Sequence, residues 1–344
     1  MNKAQSWVYH RALARPGLIL LANNAAWLIL EKIIKILLAL TVGAWMARNL
    51  GPDDYGQLAY ALTFIILFQG VANLSADGFV VRDLSRHPKN SEKILGSVFL
   101  LRLITGILCW VISVISIYFF SPTDKKSFIL ILILGSSLVF QSAETVDLWL
   151  QSQSKNKLTA KAKIFAYIIA NTVRIILLLL NAPLWTFATI ASTEVFFTAI
   201  ALRIAYKSSP TIQRWKFDKK ITLKLIQQTW PLIISGFFGA IYLRVDQILI
   251  KEILGNHALG IYAAAIQISQ VGNIIPVVLA TSLGPMISKL RTTDPVLYEK
   301  RIVLIFRIFF YTGLFISLLI SVFSKLLIIL LYGESYVDAI PILR

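Results

Sequence analysis

Leu50-Gly51-Pro52-Asp53-Asp54-Tyr55-Gly56 and Leu254-Gly255-Asn256-His257-Ala258-Leu259-Gly260 are two versions of one short segment, 204 positions apart. In both, a Leu-Gly step is followed by a second glycine five residues on, and an apolar run then begins, at Leu58 and at Ile261. Glycine marks places where the chain turns sharply or approaches another backbone closely. A repeat of such a turn together with its apolar flanks points to internal duplication. Duplicated membrane halves bind their substrate between the halves, the architecture of a carrier rather than an enzyme. The plainer reading is two unrelated membrane turns that both need glycine.

Outward from these turns the chain is strongly apolar. Hydrophobic residues make up 57% of it and the mean hydropathy is +0.73, more than one soluble core can hide. A helical crossing needs roughly 20 apolar residues, and such runs lie near 27–47, 57–76, 97–120, 128–149, 164–181, 184–202, 226–250, 259–282 and 302–323. Many are apolar all round instead of alternating, which predicts an all-α membrane protein and not an outer-membrane barrel. Residues 1–24 are basic and amphipathic and run directly into the first span, so no cleavable signal is read there. The single Cys109 lies in a span, which excludes a disulfide framework or a cysteine metal site.

Lysine and arginine fix the expected orientation. With the N-terminus inside, cytoplasmic segments hold 22 of them and external loops 5, namely Arg48, Lys125, Lys126, Lys251 and Lys325. The net charge of +17 is then topology and anionic-lipid contact. Nucleic-acid binding would need aromatics interleaved with basic residues, and that pattern is missing. The polar stretch 207–224 reads as a cytoplasmic linker between a six-helix lobe, 1–206, and a partial second lobe, 225–344. The repeat offset carries span one onto seven and two onto eight with the same direction of entry, so the halves are parallel repeats. The second half holds three spans, and the tail from Lys325 reads as the start of a tenth in a truncated lobe.

Charges inside spans are expensive in lipid, about 2.5–3.5 kcal/mol each on insertion scales, and normally face water or a partner. Here they are Glu31, Lys32, Lys35, Arg102, Glu144, Asp147, Arg174, Glu194, Arg244, Asp246 and Arg307. Glu31 and Lys35 stand one helical turn apart, the favoured spacing for an ion pair. Arg174 and Glu194 sit at similar depth, as for a structural salt bridge. Arg102 and Arg307 lie near cytoplasmic ends, where snorkelling to headgroups is the alternative to a cavity role. Arg244 and Asp246 point to different sides of their helix. Thr63, Gln69, Asn73 and Asp77 form one polar stripe and Gln267, Gln270 and Asn273 another. Under the 204 offset Thr63 matches Gln267 and Gln69 matches Asn273. The stripes read either as walls of a shared cavity or as amides that join helices. A cavity rich in arginine and lysine suits phosphate or diphosphate groups. Asp53-Asp54, after Pro52, reads as a solvated cap.

These segments resemble a known family over nearly the whole chain. Tyr242-Leu243-Arg244-Val245-Asp246-Gln247, Leu254-Gly255, Gly260-Ile261-Tyr262-Ala263-Ala264-Ala265 and Gly284-Pro285 are similar to the seventh and eighth spans of Wzx-type polysaccharide transporters. Ala47-Arg48-Asn49-Leu50-Gly51-Pro52-Asp53-Asp54-Tyr55-Gly56, with Gly78 and Val81-Arg82-Asp83, resembles their first two. The superfamily includes lipid II flippases and MATE exporters. The resemblance implies two six-helix lobes that open alternately to each face of the bacterial inner membrane and carry an undecaprenyl-diphosphate-linked oligosaccharide outward. Membrane lipids and glycan polymerase machinery are the partners it implies. The chain stops about three spans short of that pattern.

The expected substrate contacts are Lys35, Arg102, Arg174, Arg244 and Arg307, with Gln69, Asn73, Gln267, Gln270 and Asn273 for sugar hydroxyls. Glu31, Asp77, Glu144 and Asp246 are candidates for coupling to H+ or Na+. No catalytic group, resident metal or cofactor is expected. Two rivals remain: a MATE-like exporter of cationic small molecules, which would want an acidic cavity, and a membrane-embedded polyprenyl-phosphate glycan enzyme, which would want a catalytic loop or paired carboxylates.

Overall fold

A computed structural model describes residues 16–208, 214–273 and 294–344, with isolated positions between 283 and 291; side chains are described from Ala26 onward and not at Asn273. Every regular element among them is helical. They are α1 (Pro16–Ala72), α2 (Asp77–Arg86), α3 (Ser91–Phe120), α4 (Lys125–Phe140) and α5 (Thr145–Ser152). There follow α6 (Asn156–Leu179), α7 (Leu184–Lys207), α8 (Lys219–Leu254), α9 (Asn256–Ser269), α10 (Pro295–Val322), α11 (Ser324–Leu331) and α12 (Ala339–Leu343). Short 3-10 turns cover Gln141–Glu144 and Gln270–Asn273.

Six of the described helices are long and apolar enough to cross a membrane: Pro88–Phe120, Lys125–Ser152, Asn156–Leu179, Leu184–Lys207, Lys219–Leu254 and Pro295–Val322. The first two spans read from sequence are the halves of α1, which is two helices joined at Gly51. The eighth begins in α9 and continues into 274–282, outside the described residues.

Gly51 has φ 75° and ψ 168°, and Gly255 has φ 90° and ψ 179°. Only glycine adopts this region without strain, so one helix ends and the next begins within a single residue. Gly333, with φ 86° and ψ −177°, is a third joint of the same kind, in Tyr332-Gly333-Glu334-Ser335-Tyr336. The tail is α11, a glycine joint and α12.

The described residues form two compact units, 16–35 with Gln57–Leu249 and Ile36–Gly56 with Ile250–Arg344. In the first, small residues let helices touch. A Cβ on Gly106 of α3 would stand 2.5 Å from the Leu138 carbonyl oxygen of α4, and one on Gly135 would meet the Trp110 ring at 2.1 Å. Trp110 Nε1 donates to the Leu132 carbonyl at 3.0 Å, and Ser192 of α7 donates to the Ile133 carbonyl at 2.8 Å. Such close backbone approach is how helices associate where lipid removes the hydrophobic drive. Leu84, Leu95, Val98, Trp149, Leu150 and Leu202 form a buried apolar core at one end. Phe119, Phe120, Leu179 and Leu180 are exposed, as suits a surface solvated by lipid.

In the second unit the repeated segments pack on each other reciprocally. A Cβ on Gly56 would lie 1.9 Å from the Asn256 carbonyl oxygen, and a Cβ on Gly260 would lie 2.0 Å from that of Pro52. Positions 56 and 260, like 52 and 256, differ by the repeat offset, so the contact is self-complementary, as a local two-fold axis requires. Asp53 and His257, also related by 204, face each other at 3.2 Å, a partner in addition to the solvated cap expected. Tyr336 donates to the Ala47 carbonyl at 2.7 Å and stacks edge-on with Tyr55 at 6.2 Å, which ties the tail to these turns.

Candidate functional site

The first unit holds an ionic network built by six segments of the chain. Arg102, in the first half of α3, is 1% exposed. Its guanidinium donates to Asp77, in the first turn of α2, and to the Asn73 carbonyl at 3.3 Å near the end of α1. Asn73 Nδ2 donates to Gln141 Oε1 at 3.2 Å on the 3-10 turn. One turn further, half-buried Glu144 lies within electrostatic reach of Lys163, Asp147, Arg102 and Asp77. Lys163 of α6 donates to Asp147 of α5, both side chains nearly enclosed. Asp77, Glu144 and Asp147 thus surround Arg102 and Lys163, one carboxylate more than the cations balance. Asp77 pairs with Arg102 and Asp147 with Lys163. Glu144 makes no hydrogen bond or ion pair of its own among the described residues.

A second chain of contacts joins α1, α6 and α7 in the same unit. Lys35 pairs with Glu31 at 3.0 Å and sits 5.9 Å above the Tyr167 ring, while Tyr167 donates to the Lys35 carbonyl at 3.2 Å. Arg174 donates to Asn171 at 2.9 Å and lies 3.5 Å from Glu194. The ion pair read from helical spacing, Glu31 with Lys35, and the one read from depth, Arg174 with Glu194, both form.

Other expectations change. Arg102 does not snorkel, because its guanidinium is enclosed and held by Asp77 and Asn73. Lys163, counted in the sequence among cytoplasmic loop cations, is instead a network member. Two amide positions join helices within their own units: Thr63 donates to Gln247 Oε1, and Gln267 donates to the Ala39 carbonyl and accepts from Tyr55, each at 2.5–2.6 Å. Gln69 is half-buried and Gln270 exposed. The Asn273 side chain lies outside the described residues. Arg244 is half-buried on α8 with no ion pair among the described residues, Asp246 lies on the same helix, and Arg307 is exposed on α10. No group of three His, Cys, Asp or Glu among the described residues is arranged to hold a metal.

Sequence reasoning missed Lys163, Gln141 and the importance of Asp147. The signal was the spacing of Gln141, Glu144 and Asp147, which puts three polar groups on one stripe of an otherwise apolar span. The buried lysine that answers them comes from the next helix, which no local pattern identifies.

Residues 21–291 match the family described as polysaccharide biosynthesis protein. The chain belongs to that family. Its fold resembles the crystal structure of a MATE proline-to-alanine mutant, with 13% identity and a TM-score of 0.62 over 93% of this chain and 77% of that one. It also resembles the crystal structure of MATE in the bent conformation, with 14% identity and a TM-score of 0.59 over 94% and 77%. At these identities the likeness shows the fold. No curated protein matches. Family, fold and apolar helices together define a multi-pass membrane protein of the polysaccharide biosynthesis family with a MATE-like fold.

Proposed function

We propose that this chain moves a lipid-linked oligosaccharide, carried on undecaprenyl diphosphate, from the cytoplasmic to the outer face of the bacterial inner membrane by alternating access. It acts as a carrier and not an enzyme, with its N-terminus in the cytoplasm. Residues 1–206 act as one lobe, 207–224 as the linker and 225–344 as part of the second. The family supports a glycan-related cargo. Arg244, half-buried in an apolar span without an ion pair among the described residues, supports an anionic group in that cargo; an arginine fork binds phosphate in two places at once.

The observation that carries the mechanism is the unbalanced carboxylate at Glu144. With its five charged groups ionised the network carries one negative charge in excess, and Glu144, half-buried, is its carboxylate without an ion pair among the described residues. A partly buried charge without a direct partner is unfavourable, and a proton or a sodium ion at Glu144 removes it. Loading and release there would switch the network between neutral and anionic states, which biases a two-state rocking motion. Glu31 and Asp246 remain further candidates for the same coupling. Lys35 and Arg174 would meet cargo phosphate or sugar-acid groups by exchanging their present carboxylate partners.

The test is glycan export in cells that depend on this chain. Glu144→Gln, permanently neutral, is expected to insert normally and to reduce surface glycan at least about ten-fold, the effect of losing about 1.4 kcal/mol of coupling. Arg244→Gln is expected to do the same. Full export by both variants would refute the reading. Loss of resistance to cationic small molecules with glycan export intact would favour a drug exporter instead.

A further inference from the structure

Behind the ionic network, Ser142, Ala143 and Val146 form the floor of an apolar groove of about 680 Å3 between α3, α4 and α7. Its walls are aromatic. Trp215 of the linker stacks on Phe99 at 5.1 Å and meets Tyr206 at 5.8 Å, donating to the Tyr206 hydroxyl at 3.0 Å. Phe140 and Phe196 contact each other at 5.1 Å. The linker is a fixed wall. Lys216 N donates to the Glu92 carbonyl at 3.0 Å, and its side chain pairs with Glu92 at 3.0 Å. Asp218 pairs with Lys93 at 3.2 Å and exchanges backbone hydrogen bonds with the Ser97 hydroxyl. A Cβ on Gly96 would stand 2.4 Å from the Lys216 carbonyl oxygen, so glycine is what lets the linker lie this close.

Arg203 and Lys207, one helical turn apart on α7, are exposed at the end of the groove nearest the linker. Neither has an acidic partner among the described residues. From Lys207 to Phe196 the helix rises about 16 Å at 1.5 Å per residue, close to half of the roughly 30 Å hydrocarbon thickness. The groove therefore has the depth of one leaflet, apolar along its length and cationic at its end.

We propose that this groove is a binding site for an anionic phospholipid, with its phosphate at Arg203 and Lys207 and an acyl chain against Phe99, Phe140, Phe196 and Trp215. The charge fits: two unneutralised cations beside an apolar channel favour an anionic headgroup over a zwitterionic one. The placement separates it from the proposed cargo, because Gln141, Glu144 and Asp147 present the ionic network on one side of this segment while Ser142, Ala143 and Val146 present the groove. The proposal does not depend on what the chain transports.

The test uses the purified full chain in detergent with phospholipids brominated on their acyl chains, which quench nearby tryptophan fluorescence. The difference between the parent and Trp215→Phe isolates Trp215. Phosphatidylglycerol is expected to quench it at a mole fraction up to about 30-fold lower than phosphatidylcholine, since each of two basic side chains strengthens anionic-lipid attraction about five-fold. The exposed pair Arg203→Gln with Lys207→Gln is expected to bring the two lipids to parity, and Ala199→Phe, which fills the groove without adding a tryptophan, to reduce quenching by both. Should Ala199→Phe fail to fold, the charge pair decides alone. Equal quenching by the two lipids in the parent, or a preference that survives the charge pair, overturns the proposal. Displacement of phosphatidylglycerol by polyprenyl phosphate more readily than by unbrominated phosphatidylglycerol overturns the assignment of a phospholipid.

Discussion

Gly56→Ala and Gly260→Ala should fail for one shared reason. Each added methyl would enter backbone, 1.9 Å from the Asn256 carbonyl oxygen in one case and 2.0 Å from the Pro52 carbonyl oxygen in the other. Ordinary carbon contacts stand near 3.5–4 Å, so the two turns must separate by about 1.5 Å. Carbonyl groups within helical turns cannot swing aside as a flexible side chain does. Overpacking of this kind costs about 1–3 kcal/mol, and both substitutions belong at the upper end, near 3. Because the contact is reciprocal, separation forced by one methyl also makes room for the other. The double variant should therefore cost about 3 kcal/mol and not about 6, a coupling of about 3 kcal/mol where independent sites would add within a few tenths. Gly78→Ala and Gly239→Ala, with nothing within 4 Å of the added carbon, serve as controls, and a better helix former should leave them neutral or up to about 1 kcal/mol more stable. Reversible unfolding in SDS, followed by far-UV circular dichroism, measures all five variants. Additive losses, or Gly56→Ala as stable as Gly78→Ala, would refute the reciprocal packing.

Asp77→Asn should destabilise more than the double variant Asp77→Asn with Arg102→Met. The first strands a guanidinium that is 1% exposed while Asp77 is 62% exposed, at about 2–3 kcal/mol, below the 3–5 of a fully enclosed pair because water reaches Asp77. The double variant removes one charge of each sign, leaves the balance of the network unchanged and should cost under about 1.5 kcal/mol by the same unfolding assay. The Asp218 carboxyl is held below its ordinary value of 3.8 by the Ile221 backbone N–H and then by Lys93. Its contribution is therefore present above pH 3.8 and is lost as the pH falls further through the depressed value. Amide exchange at the linker should accelerate in that acid window, and Asp218→Asn should flatten the response. Lys163→Met should be rescued in part by Asp147→Leu, because the pair is then replaced by apolar side chains and Asp147 is not left buried without its cation; a double variant less stable than Lys163→Met alone would contradict the pairing.

The helical membrane class was legible because all-round apolar runs of span length leave little alternative. The turns at Gly51 and Gly255 were legible because the same step recurs at a fixed offset. What the offset also contained, and sequence reading passed over, is that Gly56, Gly260, Pro52 and Asn256 form one self-complementary contact. Repetition shows that two segments are alike, and only coordinates show that they touch. Gly333 was missed because its flank, Tyr332 and Glu334 to Tyr336, departs from the other two in every side chain, while the backbone conformation is the same. Within α1 and from α6 to α7, the pairs Glu31 with Lys35 and Arg174 with Glu194 followed from spacing and depth. The network around Glu144 did not, because its partners come from α2, α3 and α6, and Lys163 looked like one more positive residue at a membrane edge. Depth along a helix is readable from sequence, whereas the facing of a long side chain toward a neighbour is settled by packing.

Translocation of a fluorescent undecaprenyl-diphosphate oligosaccharide in proteoliposomes tests the central claim most directly. With the chain reconstituted and a proton or sodium gradient imposed, labelled lipid in the outer leaflet should become protected from a membrane-impermeant quencher. Glu144→Gln should show no acceleration by the gradient. Protection no faster than in protein-free vesicles, or a gradient response preserved in Glu144→Gln, would contradict the account.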